Sequence, residues 1–137
     1  MMIYLDTNVL VYSYISPDDQ KQVVSSQLIE TLIRENNLLL SPLVMQELIF
    51  VLNKLQLTNP EISDIIELFK KYCRRNINKK LVLDAYELCL KVENLKHIND
   101  AVHLKFAEKY AAKFITFDND YNKFKPFTSI EIEILTG

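Results

Sequence analysis

The chain has 137 residues, 49% of them hydrophobic and 25% charged, with a formal net charge of −2 at pH 7. That length accommodates one core, so residues 1–137 are expected to form a single domain, and the near-neutral balance leaves any affinity for nucleic acid to a local patch. The only glycine, Gly137, is the last residue, which excludes the Walker loop, the dinucleotide fingerprint and the nucleophile elbow.

Strand-like and helix-like patterns alternate along the chain without a linker, as expected of an α/β domain whose parallel sheet is covered by helices on both faces. Met2 to Leu5 reads as the first strand, closed by Asp6. Asp6, Thr7 or Asn8 can cap a helix starting near Val9. Val24, Leu28 and Leu32 recur at helical spacing, and Leu38 to Leu40 forms a second apolar run. Ser41-Pro42 opens a helix with a serine cap and a proline in its first turn, and Asn59-Pro60 repeats the signal for a helix running toward Tyr72. Val82, Ala85, Tyr86, Cys89 and Val92 mark another helical face. Asn99 or Asp100 is the expected cap of a helix through Leu104, Ala107 and Ala111, which leads into a strand from Phe114 to Phe117. In the last segment Ile130, Ile132 and Ile134 alternate with Glu131 and Glu133, the pattern of a half-exposed edge strand.

Placed on these elements, the acids fall into a pattern. Asp6 and Asp118 close two apolar strands, and open α/β sheets build their sites at that carboxyl edge. Glu47 has Leu43, Val44, Phe50 and Val51 three and four residues away, so it lies in an apolar stripe with no intrahelical cation. Asp100 heads the row Leu104, Ala107, Ala111. A carboxylate facing a core must become neutral or find a cation. Four acids converging at about 4 Å would repel by about 4 kcal/mol per pair at an effective dielectric of ~20, and a hard divalent ion reverses that sign. Mg²⁺ or Mn²⁺ takes oxygen ligands and activates water for phosphodiester hydrolysis, which is the chemistry these residues point to.

The remaining signals are structural. Cys73 and Cys89 lack ligand spacing and read as buried free thiols. His97 and His103, six apart, fall on different helix faces and receive no catalytic role. Tyr4, Tyr12, Tyr14 and Tyr72 read as core, and Lys105, Lys109 and Lys113 as a solvent-facing row. Lys70, Lys71, Arg74, Arg75, Lys79 and Lys80 lie in a stretch without an acid, which suits either an RNA track or a solvated helix end. With no basic leader and no apolar run near the ~20 residues of a membrane span, a cytoplasmic location is expected.

Ile3-Tyr4-Leu5-Asp6-Thr7-Asn8-Val9-Leu10, Ser41 to Leu48, Ile98-Asn99-Asp100-Ala101-Val102-His103 and Ile115-Thr116-Phe117-Asp118 together resemble the acidic motifs of the PIN domain, and the length is similar to that of VapC-type ribonuclease toxins. The resemblance implies a twisted parallel sheet of four or five strands and an RNA endonuclease dependent on magnesium or manganese. It places Asp6, Glu47, Asp100 and Asp118 at the acidic positions, with Asp6, Asp100 and Asp118 as metal ligands and Asn8 and Thr116 as polar support. Asp120 competes with Asp118 for the fourth position. Cleavage would leave 5′-phosphate and 3′-hydroxyl ends on RNA, tRNA among the candidates. An antitoxin would cover the cleft, and a homodimer is implied. Leu43, Leu48, Ile49, Phe50, Val51, Leu52 and Leu55 exceed a single stripe, as burial on several sides or an interface would require. Two other readings stand beside this one. A haloacid-dehalogenase-type phosphatase also starts with a strand ending in Asp, although Asn8 departs from its DxD motif. A non-catalytic RNA-binding PIN module would keep the fold without turnover.

Overall fold

The computed structural model describes residues 1–16 and 18–136; Gly137 lies outside the described residues. Four strands, β1 (Ile3–Leu5), β2 (Leu38–Leu39), β3 (Lys113–Thr116) and β4 (Glu131–Ile134), form one sheet in the order β2-β1-β3-β4. All three pairings are parallel, with Tyr4 of β1 opposite Leu39 on one side and Phe114 on the other. An isolated parallel bridge from Leu40 to Cys73 extends the sheet beyond β2. The chain leaves β1 for β2 on one side and later returns to β3 on the other. The carboxyl ends of β1 and β3 therefore flank a topological switch point, where the diverging connections leave a crevice.

Among the described residues six α-helices pack around the sheet and on one another: α1 (Thr7–Tyr14), α2 (Asp19–Arg34), α3 (Pro42–Lys54), α4 (Asn59–Phe69), α5 (Lys79–Lys91) and α6 (Ile98–Tyr110). Short 3₁₀ segments occupy Lys70–Tyr72, Leu95–His97 and Asn119–Phe127. None of the described helices is long and apolar enough to cross a membrane. The sheet's short strands are nearly all core: Tyr4, Leu5, Leu38 and Phe114 are fully buried, and β4 is the edge, with Ile132 turned inward and Glu131 exposed. Lys113 begins β3 and lies against Glu133 and Glu131, so it does not extend a solvent-facing helical row.

Local chemistry explains the helix starts. Ser41 Oγ accepts the Val44 N–H at 3.1 Å and Pro42 occupies the first turn, as its sequence demanded. At α4 the cap is Thr58 and not Asn59, because Thr58 and Glu61 close a capping box around the first turn. Neither Asn99 nor Asp100 caps α6. The 3₁₀ turn Leu95–His97 runs straight into it, so both fall within its first turn. On α5 the buried row is Leu81, Ala85, Leu88 and Cys89, whereas Val82 and Tyr86 are exposed. Apolar residues surround that helix, and packing against α6 rather than periodicity chooses the face. Cys89 is buried and Cys73 half-buried, both as free thiols.

A body without glycine must end its helices some other way. α2, α3 and α5 each close through a residue at positive φ, Asn36 (57°), Gln56 (68°) and Glu93 (59°). Each is followed by the long return bond of a Schellman turn: Asn37 N–H to Leu32 O, Leu57 N–H to Leu52 O and Asn94 N–H to Cys89 O. Asn tolerates the left-handed region, but Gln56 and Glu93 carry a steric cost from Cβ of roughly 1–2 kcal/mol. Glu93→Gly is expected to stabilise the fold by about 1 kcal/mol, read as a higher urea midpoint at unchanged slope.

Candidate active site

The switch-point crevice opens into a cleft of about 640 Å³ lined by the first turn of α1, one face of α3, the start of α6 and Asp118. Asp6 follows β1 directly and caps α1, its Oδ1 accepting the Thr7 N–H at 2.8 Å. One carboxylate thus both caps α1 and lines the cleft. Its Oδ2 accepts the Thr116 hydroxyl at 2.7 Å and the Asn8 amide at 3.4 Å. Asn8 in turn accepts the Phe117 N–H at 3.3 Å, and Thr116 Oγ1 accepts the Asp118 N–H at 2.9 Å. These bonds tie the first turn of α1 to the end of β3 across the crevice. Thr116→Val would leave the Asp118 N–H and one Asp6 oxygen short of a partner. A loss of about 1–3 kcal/mol in chemical denaturation is expected, because buried polar groups are costly to leave unpaired.

Glu47 finds its partner across the cleft. Its Oε1 accepts the Thr7 hydroxyl at 2.7 Å and lies 2.6 Å from Nε2 of His103, on α6. The same Nε2 is 3.8 Å from Asp6 Oδ1. His103 Nδ1 lies 2.6 Å from the hydroxyl of Tyr4, which is 2.6 Å from Ser41 Oγ. Burial by itself would lower the His103 pKa, but the Glu47 hydrogen bond and the charges of Asp6 and Glu47 raise it above its ordinary value. Burial raises Asp6, against the pull of His103, Thr116 and Thr7. Burial also pushes Glu47 upward, yet bonds from His103, Thr7 and Asn99 leave it below the ordinary carboxylate range. Tyr4 is raised well above its usual value by burial and remains a phenol.

The four acids expected at the site, Asp6, Glu47, Asp100 and Asp118, all line this cleft, as does Asn8, while Thr116 is buried beneath it. They do not converge as one cluster. Among the described residues, the group whose ligand atoms lie within 4.8 Å of one another is Asp6, Glu47 and His103. Asp100 turns toward His97 Nδ1, at 2.9 Å, and the Tyr121 hydroxyl, at 3.3 Å, and Lys123 Nζ contacts Nε2, the other ring nitrogen of His97. Asp118 caps the 3₁₀ segment after β3 by accepting the Asp120 N–H at 2.9 Å. Asp120 is exposed and outside the cleft lining. The expected ligand set Asp6, Asp100 and Asp118 is therefore not the set gathered in this geometry. The donors that are gathered, two carboxylates and an imidazole facing one space, suit a divalent cation.

His103 escapes a reading that compares the two histidines with each other and not with the acids. Each is three residues from Asp100, one turn along α6 or just before it, and that spacing beside an acid heading a core row was the available signal. Of the tyrosines, Tyr4 and Tyr72 are core, but Tyr12 lines the cleft and Tyr14 is exposed. None of Lys70, Lys71, Arg74, Arg75, Lys79 and Lys80 lines the cleft. Arg74 bonds Asn36, just before β2, and Arg75 lies over the Tyr110 ring at the end of α6. Both anchors are at the amino edge of the sheet, opposite the acids. Lys70 and Lys80 pair with Glu67 and Asp84.

A short parallel sheet with acids lining the crevice at its switch point defines an α/β domain with an acidic cleft of the kind that holds a divalent ion. The PIN domain model matches residues 3–125, and the chain belongs to that family. The fold is similar to that in the crystal structure of VapBC2 from Rickettsia felis bound to a DNA fragment from its promoter. The two share 20% identity, with a TM-score of 0.72 over 99% of this chain and 100% of that one. No curated protein matches the chain in sequence. The family assignment replaces the dehalogenase reading of the strand that ends in Asp6.

Proposed function

We propose that the protein is a metal-dependent endoribonuclease acting as the toxin of a toxin–antitoxin pair. The observation that carries this reading is the placement of Asp6, Glu47, Asp100 and Asp118 on one cleft at the switch point of a PIN fold. Mg²⁺ or Mn²⁺ in that cleft supplies an activated water and stabilises the leaving oxygen of the cleaved phosphodiester. Asp6 contributes a preformed carboxylate, held by Thr7, Thr116 and Asn8, and Glu47 an ionised one. Asp100 and Asp118, farther out, are assigned to ligand waters or to a second ion position. Asp118 is preferred to Asp120 as the fourth acid because only the former lines the cleft.

The partners follow from the same surface. Ile49 and Phe50 of α3 and Leu55 at its C-cap are exposed, near a cleft wall that includes Leu43, Phe50 and Val51. That apolar excess suits a cognate antitoxin segment, the kind of partner present in the Rickettsia felis complex, or a second copy of the chain. The basic run from Lys70 to Lys80 is available only to RNA that wraps past the edge of the sheet. The whole system is assigned to the cytoplasm. Purified, partner-free protein is to be incubated with a mixed RNA pool and total tRNA, with Mn²⁺ or Mg²⁺, with chelator, and with Asp6→Asn as the contamination control. Metal-dependent products absent from the Asp6→Asn reaction support the reading. Metal binding with cleavage no greater than in the Asp6→Asn reaction would leave an RNA-binding module in its place.

A further inference from the structure

His103 does something the acidic pattern does not require: it places a nitrogen among the oxygens. Resting on the metal-dependent reading above, we propose that His103 Nε2 is a ligand of the ion held by Asp6 and Glu47, and that the site therefore selects Mn²⁺ and Co²⁺ over Mg²⁺.

Three observations carry the assignment. The first is spacing. Nε2 stands 2.6 Å from Glu47 Oε1 and 3.8 Å from Asp6 Oδ1, and all three donors fall within 4.8 Å. Around an octahedral ion at about 2.1 Å, adjacent donors are ~3.0 Å apart and opposite ones ~4.2 Å, so one ion faces all three once the proton between Nε2 and Glu47 Oε1 is released to solvent and those two atoms open slightly around the ion. The second is confinement. His103 is 1% exposed, and its ring is held 5.8 Å from that of Tyr4, so among the described residues Nε2 faces these two carboxylates.

The third is the far side of the ring. A ligating Nε2 needs the proton on Nδ1, and that proton needs an acceptor. In that tautomer the Tyr4 oxygen, 2.6 Å from Nδ1, is the acceptor, and its own hydroxyl can turn to Ser41 Oγ, also 2.6 Å away. Tyr4 lies on β1, Ser41 caps α3 and His103 sits on α6, so three elements fix one ring orientation. Tyr4 is a positioning residue in this arrangement. Imidazole is a poor ligand for Mg²⁺, which demands oxygen and near-ideal octahedral geometry, whereas the divalent transition ions accept it, Mn²⁺ more weakly than Co²⁺.

The test is pulsed EPR of the Mn²⁺-loaded full chain grown with natural or ¹⁵N-labelled histidine, paired with Mn²⁺ and Mg²⁺ titrations by calorimetry. The chain contains two histidines, so His97→Gln assigns the signal. Expected are imidazole-nitrogen modulations that change with the isotope, persist in His97→Gln and vanish in His103→Gln, with Mn²⁺ affinity falling by about 10- to 100-fold and Mg²⁺ affinity much less. If His103→Gln does not fold, the isotope comparison in wild type and His97→Gln still decides. An all-oxygen spectrum, or a nitrogen signal lost with His97, overturns the assignment. RNA cleavage with an all-oxygen ion overturns this inference alone; nitrogen ligation without cleavage overturns the nuclease reading alone; no ion bound overturns both.

Discussion

Asp6→Asn is expected to give a folded protein whose metal-dependent RNA cleavage is at least ~10²-fold below wild type, the scale seen when a preorganised electrostatic group is removed from a reacting centre. The fold should survive because asparagine is as good a helix cap as aspartate, and its amide oxygen can still accept the Thr7 N–H now bonded at 2.8 Å. The amide NH₂ would face Thr116 Oγ1, which can turn from donor to acceptor. What the amide cannot replace is charge. Asp6 lies at the junction of β1 and α1, buried to 7% exposure, where burial raises its pKa and nearby positive charge favours the ionised form. A melting temperature within about 5 °C of wild type, with chelator-sensitive cleavage gone, is the expected pair of results. Cleavage retained near the wild-type rate would remove Asp6 from the reaction.

The second large effect is on the fold. Phe114 sits in the middle of β3, fully buried, with ring centroids of Tyr4 at 5.4 Å and Tyr121 at 4.8 Å. Phe114→Ala is expected to cost about 3–5 kcal/mol, from lost apolar burial and from a cavity that flanking strands cannot collapse to fill. Against the roughly 5–15 kcal/mol typical of a domain, that is a large fraction. The urea midpoint should fall at unchanged slope. The site would feel it too, because Tyr121 carries its hydroxyl to Asp100 and Tyr4 carries its own to His103. A loss below about 1 kcal/mol would contradict the packing described for the β1–β3 pair.

These two substitutions lie on one structural axis. The aromatic layer Tyr4, Phe106, Phe114 and Tyr121 is buried, and two of its members hold cleft residues from behind, Tyr4 through the His103 Nδ1 contact and Tyr121 through its bond to Asp100. Core and site therefore share residues, which is how a domain of this size can hold buried acids in place. The exposed residues of α3 are a different kind of feature. They add nothing to that layer, and of the apolar ones among them only Phe50 reaches the cleft lining.

The order of elements, the parallel sheet and the acids at the ends of β1 and after β3 were legible in the chain, because buried strands, caps and helical rows write short-range patterns. Ser41-Pro42 announced α3, and the alternation of Ile130 to Ile134 announced an edge strand. The sequence by itself determined that Asp6, Glu47, Asp100 and Asp118 would stand where a sheet-edge cleft forms, since each sits at a strand end or on an apolar helix face. Only the tertiary structure decided which donors meet. Glu47 and His103 are 56 residues apart on α3 and α6, and Asp100 is drawn aside by His97 and Tyr121. Those distances depend on how helices seat on the sheet, a property of packing between segments that no local spacing encodes.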